Sequence, residues 1–351
     1  MAMTIVENTT ITVTGGVDTH SEFHVAAAVD ANGGVLGIDT FDTTTAGYRR
    51  LVSWLAGFGE ISLVGVEGTG SYGAGLTRHL TGRGIRVVEV DRPNRQARHR
   101  AGKSDSVDAI AAARAALAGT ATGVPKSRTG NIEAIRVLTV ARRSAADEWI
   151  SIINQMRHIV FCAPDDIRDR FVDLSPIRLT RTCAALKPRR SSGDVVRFTT
   201  LSTLRELGRR ALFIRDQKRS LDAEMRPLIQ EFAPALLEVH GVGYDTAAKL
   251  LIAAGDNPHR LRSEAAWAHL CGVAPIPASS GKTQRHRLNR GGNRQANSAI
   301  YRIMLTRMSN DERTKAYIAR RTAEGKTMGE IARMLKRYIA REVYKTLPTT
   351  I

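Results

Sequence analysis

Three eight-residue runs near the start of the chain, ITVTGGVD, FHVAAAVD and VLGIDTFD, alternate or run apolar with the period-two spacing of β-strands. Asn32-Gly33-Gly34, between the second and third runs, is a hairpin signal, so the sheet is expected to begin as an antiparallel meander. From Thr44 the spacing changes to three and four residues. TTAGYRRLVSWLAG predicts an amphipathic helix with Tyr48, Leu51, Val52 and Leu55 on one face. ISLVGVE then returns to a strand ending at Glu67, SYGAGLTRHLTGRG reads as a helix stopped by glycine, and IRVVEVD is a fifth strand. KSDSVDAIAAARAAL closes the series as a third helix, giving the order βββαβαβα.

Beyond residue 126 the helical spacing is sustained. NIEAIRVLTVARRSAADEWISIINQMRHIVF and LSTLRELGRRALFIRDQKRSLDAEMRPLIQEF are each longer than an ordinary globular helix and predict an antiparallel pair or a coiled-coil arm. Between them, Pro164, Pro176, Pro188 and the cluster KPRRSSGD break the pattern, so 162–198 is expected to be a tip or mobile connection without a readable fold. LLEVHGVGYDTAAKLLIAAG has the helix, Gly-x-Gly turn and helix of a helix-hairpin-helix module. In that module Gly241 and Gly243 bring backbone amides against a phosphate; a plain helical hairpin is the other reading. The expected organisation is a flexible tail (1–9), an α/β domain (10–125), a helical or coiled-coil region (126–232) and a mainly α-helical C-terminal domain with a basic tail (233–351).

Charge narrows the partners. The 351 residues carry 52 Lys and Arg against 34 Asp and Glu, a net +18 that points to a polyanion, nucleic acid first, and says nothing of fold. Residues 281–351 alone hold 17 Lys and Arg against 5 Asp and Glu. The stretch RPNRQARHRAGK, with Arg92, Arg95, Arg98, Arg100 and Lys103, has no apolar residue beyond alanine and is expected to contact phosphates just before the third helix. Lys282, Arg285, Arg287, Arg290 and Arg294 form a second such group. No apolar run is long enough to span a membrane and the start MAMTIVENTT lacks a secretion signal, so a cytoplasmic protein is expected. Cys162, Cys183 and Cys271 lack CxxC spacing, which argues against zinc sites and disulfides.

Four acids carry the candidate chemistry. Asp18 and Glu67 stand at the C-terminal ends of strands, where α/β sheets gather ligands, and Asp105 and Asp108, three residues apart on a helix, share a face. Converging carboxylates repel, and a hard cation such as Mg²⁺, with Mn²⁺ as a substitute, relieves that repulsion; the implied chemistry is two-metal phosphoryl transfer. His20 and His24 lie near Asp18 without an assigned role. In the loop Ser279-Ser280-Gly281, a serine among Arg and Lys side chains could attack a phosphodiester, although most serines in such loops are turn residues.

The order strand-Asp, strand-Glu, helix-DxxD resembles an RNase H-like (RuvC-like) nuclease core of the Holliday-junction resolvase type. Taken together, GVDTH, GVEGTGSYG, KSDSVDA, HGVGYDTAAKLL and the late GVAP, SSG and GGN resemble the DEDD transposases of bacterial insertion sequences that use a bridge RNA. The resemblance implies that Asp18, Glu67, Asp105 and Asp108 bind metal and that Ser280, directly before glycine, is the nucleophile, with Ser279 the alternative. It further implies a tetramer, or a dimer, on a structured RNA whose loops pair with donor and target DNA, and strand transfer through a covalent phosphoserine. A resolvase-type or RNase H-type nuclease would use the same acids with water, and a non-catalytic nucleic-acid-binding protein would need none of them.

Overall fold

The computed structural model describes residues 11–90, 104–189, 194–255, 261–279, 286–289 and 291–348. The chain forms two compact units, 1–128 with 255–260, and 129–254 with 261–351.

The first unit is an α/β layer structure. Strands β1 (Thr12–Thr19), β2 (Phe23–Val29), β3 (Val35–Asp42), β4 (Glu60–Glu67) and β5 (Val87–Val90) lie in the order β3-β2-β1-β4-β5. The β1-β2-β3 meander is antiparallel, closed at the β2–β3 turn by the Asp30 carboxylate accepting from Asn32 and Gly34 amides, whereas β1, β4 and β5 run parallel. Helices α1 (Thr45–Ala56) and α2 (Ala74–Thr81) connect strands and cover one face. Leu51, Leu55, Leu76 and Leu80, all fully buried, pack there against Val13, Val17, Val64 and Val66. Tyr48, Leu51, Val52 and Leu55 are the buried stripe of α1, as the spacing requires.

The opposite face is covered by α3 (Asp105–Leu117), and its packing decides where the acids go. The buried side of α3 is Asp108, Ala109, Ala112, Ala113 and Ala116. Opposite it β1 and β4 present Gly16 and Gly65. A Cβ on Gly16 would stand 2.1 Å from the Ala113 backbone nitrogen, and one on Gly65 would stand 2.6 Å from the Ala112 carbonyl oxygen. Helix and sheet therefore meet backbone to backbone, an approach that only glycine on the strands and small residues on the helix permit.

The second unit is helical. Helices α4 (Gly130–Phe161) and α7 (Val195–Phe232) form an antiparallel pair, with Arg142 bonded to Asp222 and Arg210 to Glu148. Between them the chain makes two short helices, α5 (Asp165–Phe171) and α6 (Pro176–Ala184). Pro164 caps the first and Pro176 opens the second, and Ile167, Phe171, Leu179 and Cys183 pack onto Ile152, Met156 and Leu204 of the long pair. At the other end of the pair, Ile135, Met225 and Ile229 share a core with α8 (Pro234–Glu238), α9 (Tyr244–Ala254), α10 (Glu264–Leu270), α11 (Arg294–Asn310) and α13 (Met328–Tyr344), around the fully buried Trp267. Helix α12 (Glu312–Ala323) precedes α13, which starts with a capping box between Thr327 and Glu330. A short antiparallel ladder, β6 (Ile276–Pro277) with β7 (His286–Arg287), lies before α11. Burial pushes the Cys183 thiol up to about 12 and raises Cys271 as well, so both behave as apolar core groups. Among the described residues no helix is long and apolar enough to cross a membrane.

Candidate metal centre

The contact between α3 and the glycines sets the site. Side chains two residues apart on a strand point to the same face. Asp18 follows Gly16, and Glu67 follows Gly65, so both carboxylates leave the sheet on the α3 side, on adjacent parallel strands paired through Val17 and Val66. Helix α3 begins beside them: Ser104 caps it by accepting from the Val107 amide at 3.3 Å, and Asp105 and Asp108 occupy its first turn. Asp18, Glu67 and Asp108 are buried at 8%, 7% and 9% exposure. Carboxylates seldom reach that depth without compensation.

His20 completes the cluster. It lies two residues beyond Asp18 and therefore shares its face, and its Nε2 stands 3.3 Å from Asp18 Oδ2 and 3.4 Å from Asp105 Oδ2. One ligand atom from each of Asp18, His20 and Asp105 lies within 4.8 Å of the others, a spacing able to hold a divalent cation. Burial first, and then the charges of Asp108 and Asp105, raise the Asp18 pKa, while His20 opposes the shift. Converging like charges at a shielded point are the condition that a cation relieves. A donor set of carboxylate oxygens with one imidazole suits a divalent metal.

The turn after Glu67 is held in place. Thr19 Oγ1 donates to the Glu67 carbonyl at 2.9 Å, Thr69 Oγ1 donates to Glu89 Oε1 at 2.8 Å, and Arg128 bonds the Gly70 carbonyl. His24 belongs to the other face of the sheet. It is fully buried, stacked on Tyr48 with ring centroids 5.7 Å apart, and burial lowers its pKa to about 4.

Family comparison gives this geometry its context. Residues 15–161 match a transposase model of the DEDD type named for IS110, and residues 233–319 match the model of the transposase IS116/IS110/IS902 family. The chain carries IS110-family transposase domains. It is also 34% identical over 117 residues to a Streptomyces coelicolor protein named "Insertion element IS110 uncharacterized 43.6 kDa protein", an overlap of 32% of this chain. The match spans 29% of that relative's length.

All four acids and His20 lie in the first transposase domain. In the second, Gly241 and Gly243 form the turn between α8 and α9. Gly241 has a φ of +84° and sits against Ile303 of α11, while Gly243 has open space where a side chain would be. Thr246 Oγ1 accepts from the Gly243 amide at 2.9 Å. Arg287 on β7 and Arg294 at the start of α11 are exposed, as is Ser279. Ser280, Lys282, Arg285 and Arg290, like Arg92, Arg95, Arg98, Arg100 and Lys103, lie outside the described residues. His20 is the site residue that sequence reading left unassigned. The signal for it was its i, i+2 spacing from Asp18.

Proposed function

We propose that this chain is a DNA transposase that cuts and rejoins strands by divalent-metal-dependent phosphoryl transfer, its first domain an RNase H-like (RuvC-like) nuclease core. The observation that carries this reading is the convergence of Asp18 and Asp105 with His20, under the burial and like-charge pressure on Asp18, inside a segment that matches DEDD transposases. Asp18, Glu67, Asp105 and Asp108 are the proposed metal-binding tetrad, with His20 adding a nitrogen donor, and Mg²⁺ or Mn²⁺ the proposed ion. Such a cation, when bound, neutralises charge on the reacting phosphate.

The remaining steps belong to side chains. In this reading the Ser280 hydroxyl loses its proton and its oxygen bonds to phosphorus. The sugar oxygen on the far side leaves as an alcohol and takes up a proton, so the phosphodiester is held as a phosphoserine. Attack by a hydroxyl of another strand reverses the step and restores a diester without external energy. Basic residues including Arg287 and Arg294 hold phosphates, and the N-terminus of α9, directly after the Gly241–Gly243 turn, faces one more. Target and donor choice is assigned to a structured bridge RNA, because no stretch of the chain reads as a base-recognising motif such as zinc fingers. Assembly is as an oligomer, a dimer or tetramer.

The test is a strand-cleavage assay on a DNA substrate with Mg²⁺ or Mn²⁺ and the RNA present. Asp18→Asn and Asp105→Asn should lose cleavage by about a hundredfold or more while retaining DNA binding, and Ser280→Ala should lose the covalent protein–DNA species on denaturing gels. Undiminished cleavage in the aspartate variants overturns the metal assignment. Metal-dependent cleavage without any adduct in the parent protein favours a resolvase-type or RNase H-type nuclease that uses water. Loss of the adduct in Ser279→Ala but not in Ser280→Ala moves the nucleophile by one residue.

A further inference from the structure

The second unit contains a cleft of about 520 Å³ lined by residues of α11, α12 and α13. Its floor is apolar, made of Met304 on α11 and Leu335 and Ile339 on α13, each under a tenth exposed. One wall is aromatic: the rings of Tyr317 and Tyr338 meet edge to face at 5.8 Å and 87°, and Tyr338 is 46% exposed. The guanidinium groups of Arg320 and Arg321 stand 5.4 Å and 5.8 Å from the Tyr317 ring. His240, directly before the Gly241 turn, also lines the cleft.

The charges in this cleft are unequally engaged. Arg307, nearly buried, donates from Nε to the His240 carbonyl at 2.8 Å and pairs with Glu342 at 2.7 Å, so that carboxylate is already neutralised. Asp311 is occupied as the cap of α12, accepting from the Thr314 hydroxyl at 2.6 Å and the Arg313 amide at 3.3 Å. The cationic groups left at the rim are Arg313, exposed and without an ion pair among the described residues, and Arg341, whose approach to Glu264 is a loose 3.7 Å. An apolar floor, a partly exposed aromatic ring and two rim guanidinium groups, one of them without an ion pair among the described residues, match one kind of ligand: a flat base stacked on tyrosine with its phosphates at the rim. The volume lies within the range of small-ligand pockets.

We propose that this cleft binds an unpaired nucleotide, with the base against Tyr338 and its phosphate at Arg313 and Arg341. The nucleotide's origin, in an unpaired stretch of RNA or a separated DNA strand, follows from the transposase reading; the chemistry of the cleft is independent of it. Placed beside the Gly241 turn, the cleft would grip single-stranded nucleic acid next to the place where that turn meets a backbone.

Photocrosslinking of the full chain to single-stranded oligonucleotides carrying one 5-iodouracil, in matched RNA and DNA forms, tests this, with a fully paired DNA duplex of the same sequence as the third probe. Crosslinks should map to the peptides containing Tyr338 or Tyr317 with a single-stranded probe and be absent there with the duplex. Tyr338→Ala should weaken single-strand binding roughly tenfold, Tyr338→Trp should restore it, and Arg313→Ala should lower its salt dependence; melting curves of the variants should match the parent. The backbone that binds more tightly identifies the source. Crosslinks confined to other peptides, or equal affinity in Tyr338→Ala and parent, overturn the proposal. Failure of the transposase reading is distinguishable, because it appears as absence of metal-dependent cleavage by the parent protein and leaves the crosslink pattern untouched.

Discussion

On one face of the N-terminal sheet the contacts are made by large side chains, with Leu51, Leu55, Leu76 and Leu80 fully buried against valines; on the other they are made by glycine and alanine, with α3 lying on the backbone at Gly16 and Gly65. Both faces exclude water. The leucine face contributes most of the apolar area and therefore most of the hydrophobic stabilisation. The glycine face contributes little area but fixes the distance between strand ends and helix start with almost no freedom, and that is the face from which the acids project. Stability and positioning are thus divided between the two sides of one sheet.

The sharpest way to break this division is Gly16→Val. Its branched side chain would enter the space of the Ala113 backbone, so it should cost more than about 4 kcal/mol in chemical denaturation and abolish Mn²⁺ binding as read by electron paramagnetic resonance. Leu55→Ala, on the other face, should cost about 3 kcal/mol through the cavity it leaves, yet keep Mn²⁺ affinity at the parent value. Loss of metal binding in Leu55→Ala at a temperature where it remains folded would show that the two faces are not separable.

A third outcome concerns pH. His24 titrates near 4 when folded and near 6.5 when unfolded, so the unfolded chain takes up its proton first as pH falls. Its contribution is complete above pH 6.5 and is lost on the way down to pH 4, about 2 kcal/mol of it by pH 5. Asp18 has the opposite sign. Its folded pKa is raised, so its contribution is greatest below the unfolded value and disappears as pH climbs through the folded one. In metal-free protein the difference between parent and His24→Phe, followed by denaturation from pH 7 to 5, isolates the first effect. A flat difference would rule out a neutral buried histidine. The smallest expected effect is that of Ser104→Ala, about 1 kcal/mol from loss of the α3 cap, with a measurable drop in Mn²⁺ affinity because the same turn carries Asp105 and Asp108.

Much of this was legible as alternation and spacing. VLGIDTFD is β3 residue for residue, and the alanine-rich run after Ser104 is α3, because both patterns are long enough to override local noise. The depth at which α3 sits was not read, although it was written as Gly16-x-Asp18 and Gly65-x-Glu67, a glycine two residues before each strand acid. His20 went unassigned because histidines beside strand ends are usually surface groups, and only the packing of α3 brings Asp105 to it. The helices 165–171 and 176–184 span 7 and 9 residues, too few turns for periodicity to register, and proline there starts helices rather than ending them. The cleft draws on residues from His240 to Glu342, and no local pattern announces a pocket assembled across that separation.

The same glycine contact also orders events in time. During synthesis β1 and β2 can pair as soon as both have emerged, but β4 must later insert beside β1, and the helix that lies on Gly16 is not made until residue 117. Long-range pairings of this kind form late, since loop closure must precede the contacts that reward it. Asp18 therefore spends the early life of the chain without its full set of neighbours, and a ribosome-bound fragment or a truncation that ends before α3 lacks Asp105 and Asp108 and cannot complete the cluster. The cluster comes into being only when its own lid arrives, so an unfinished chain carries Asp18, His20 and Glu67 without the centre.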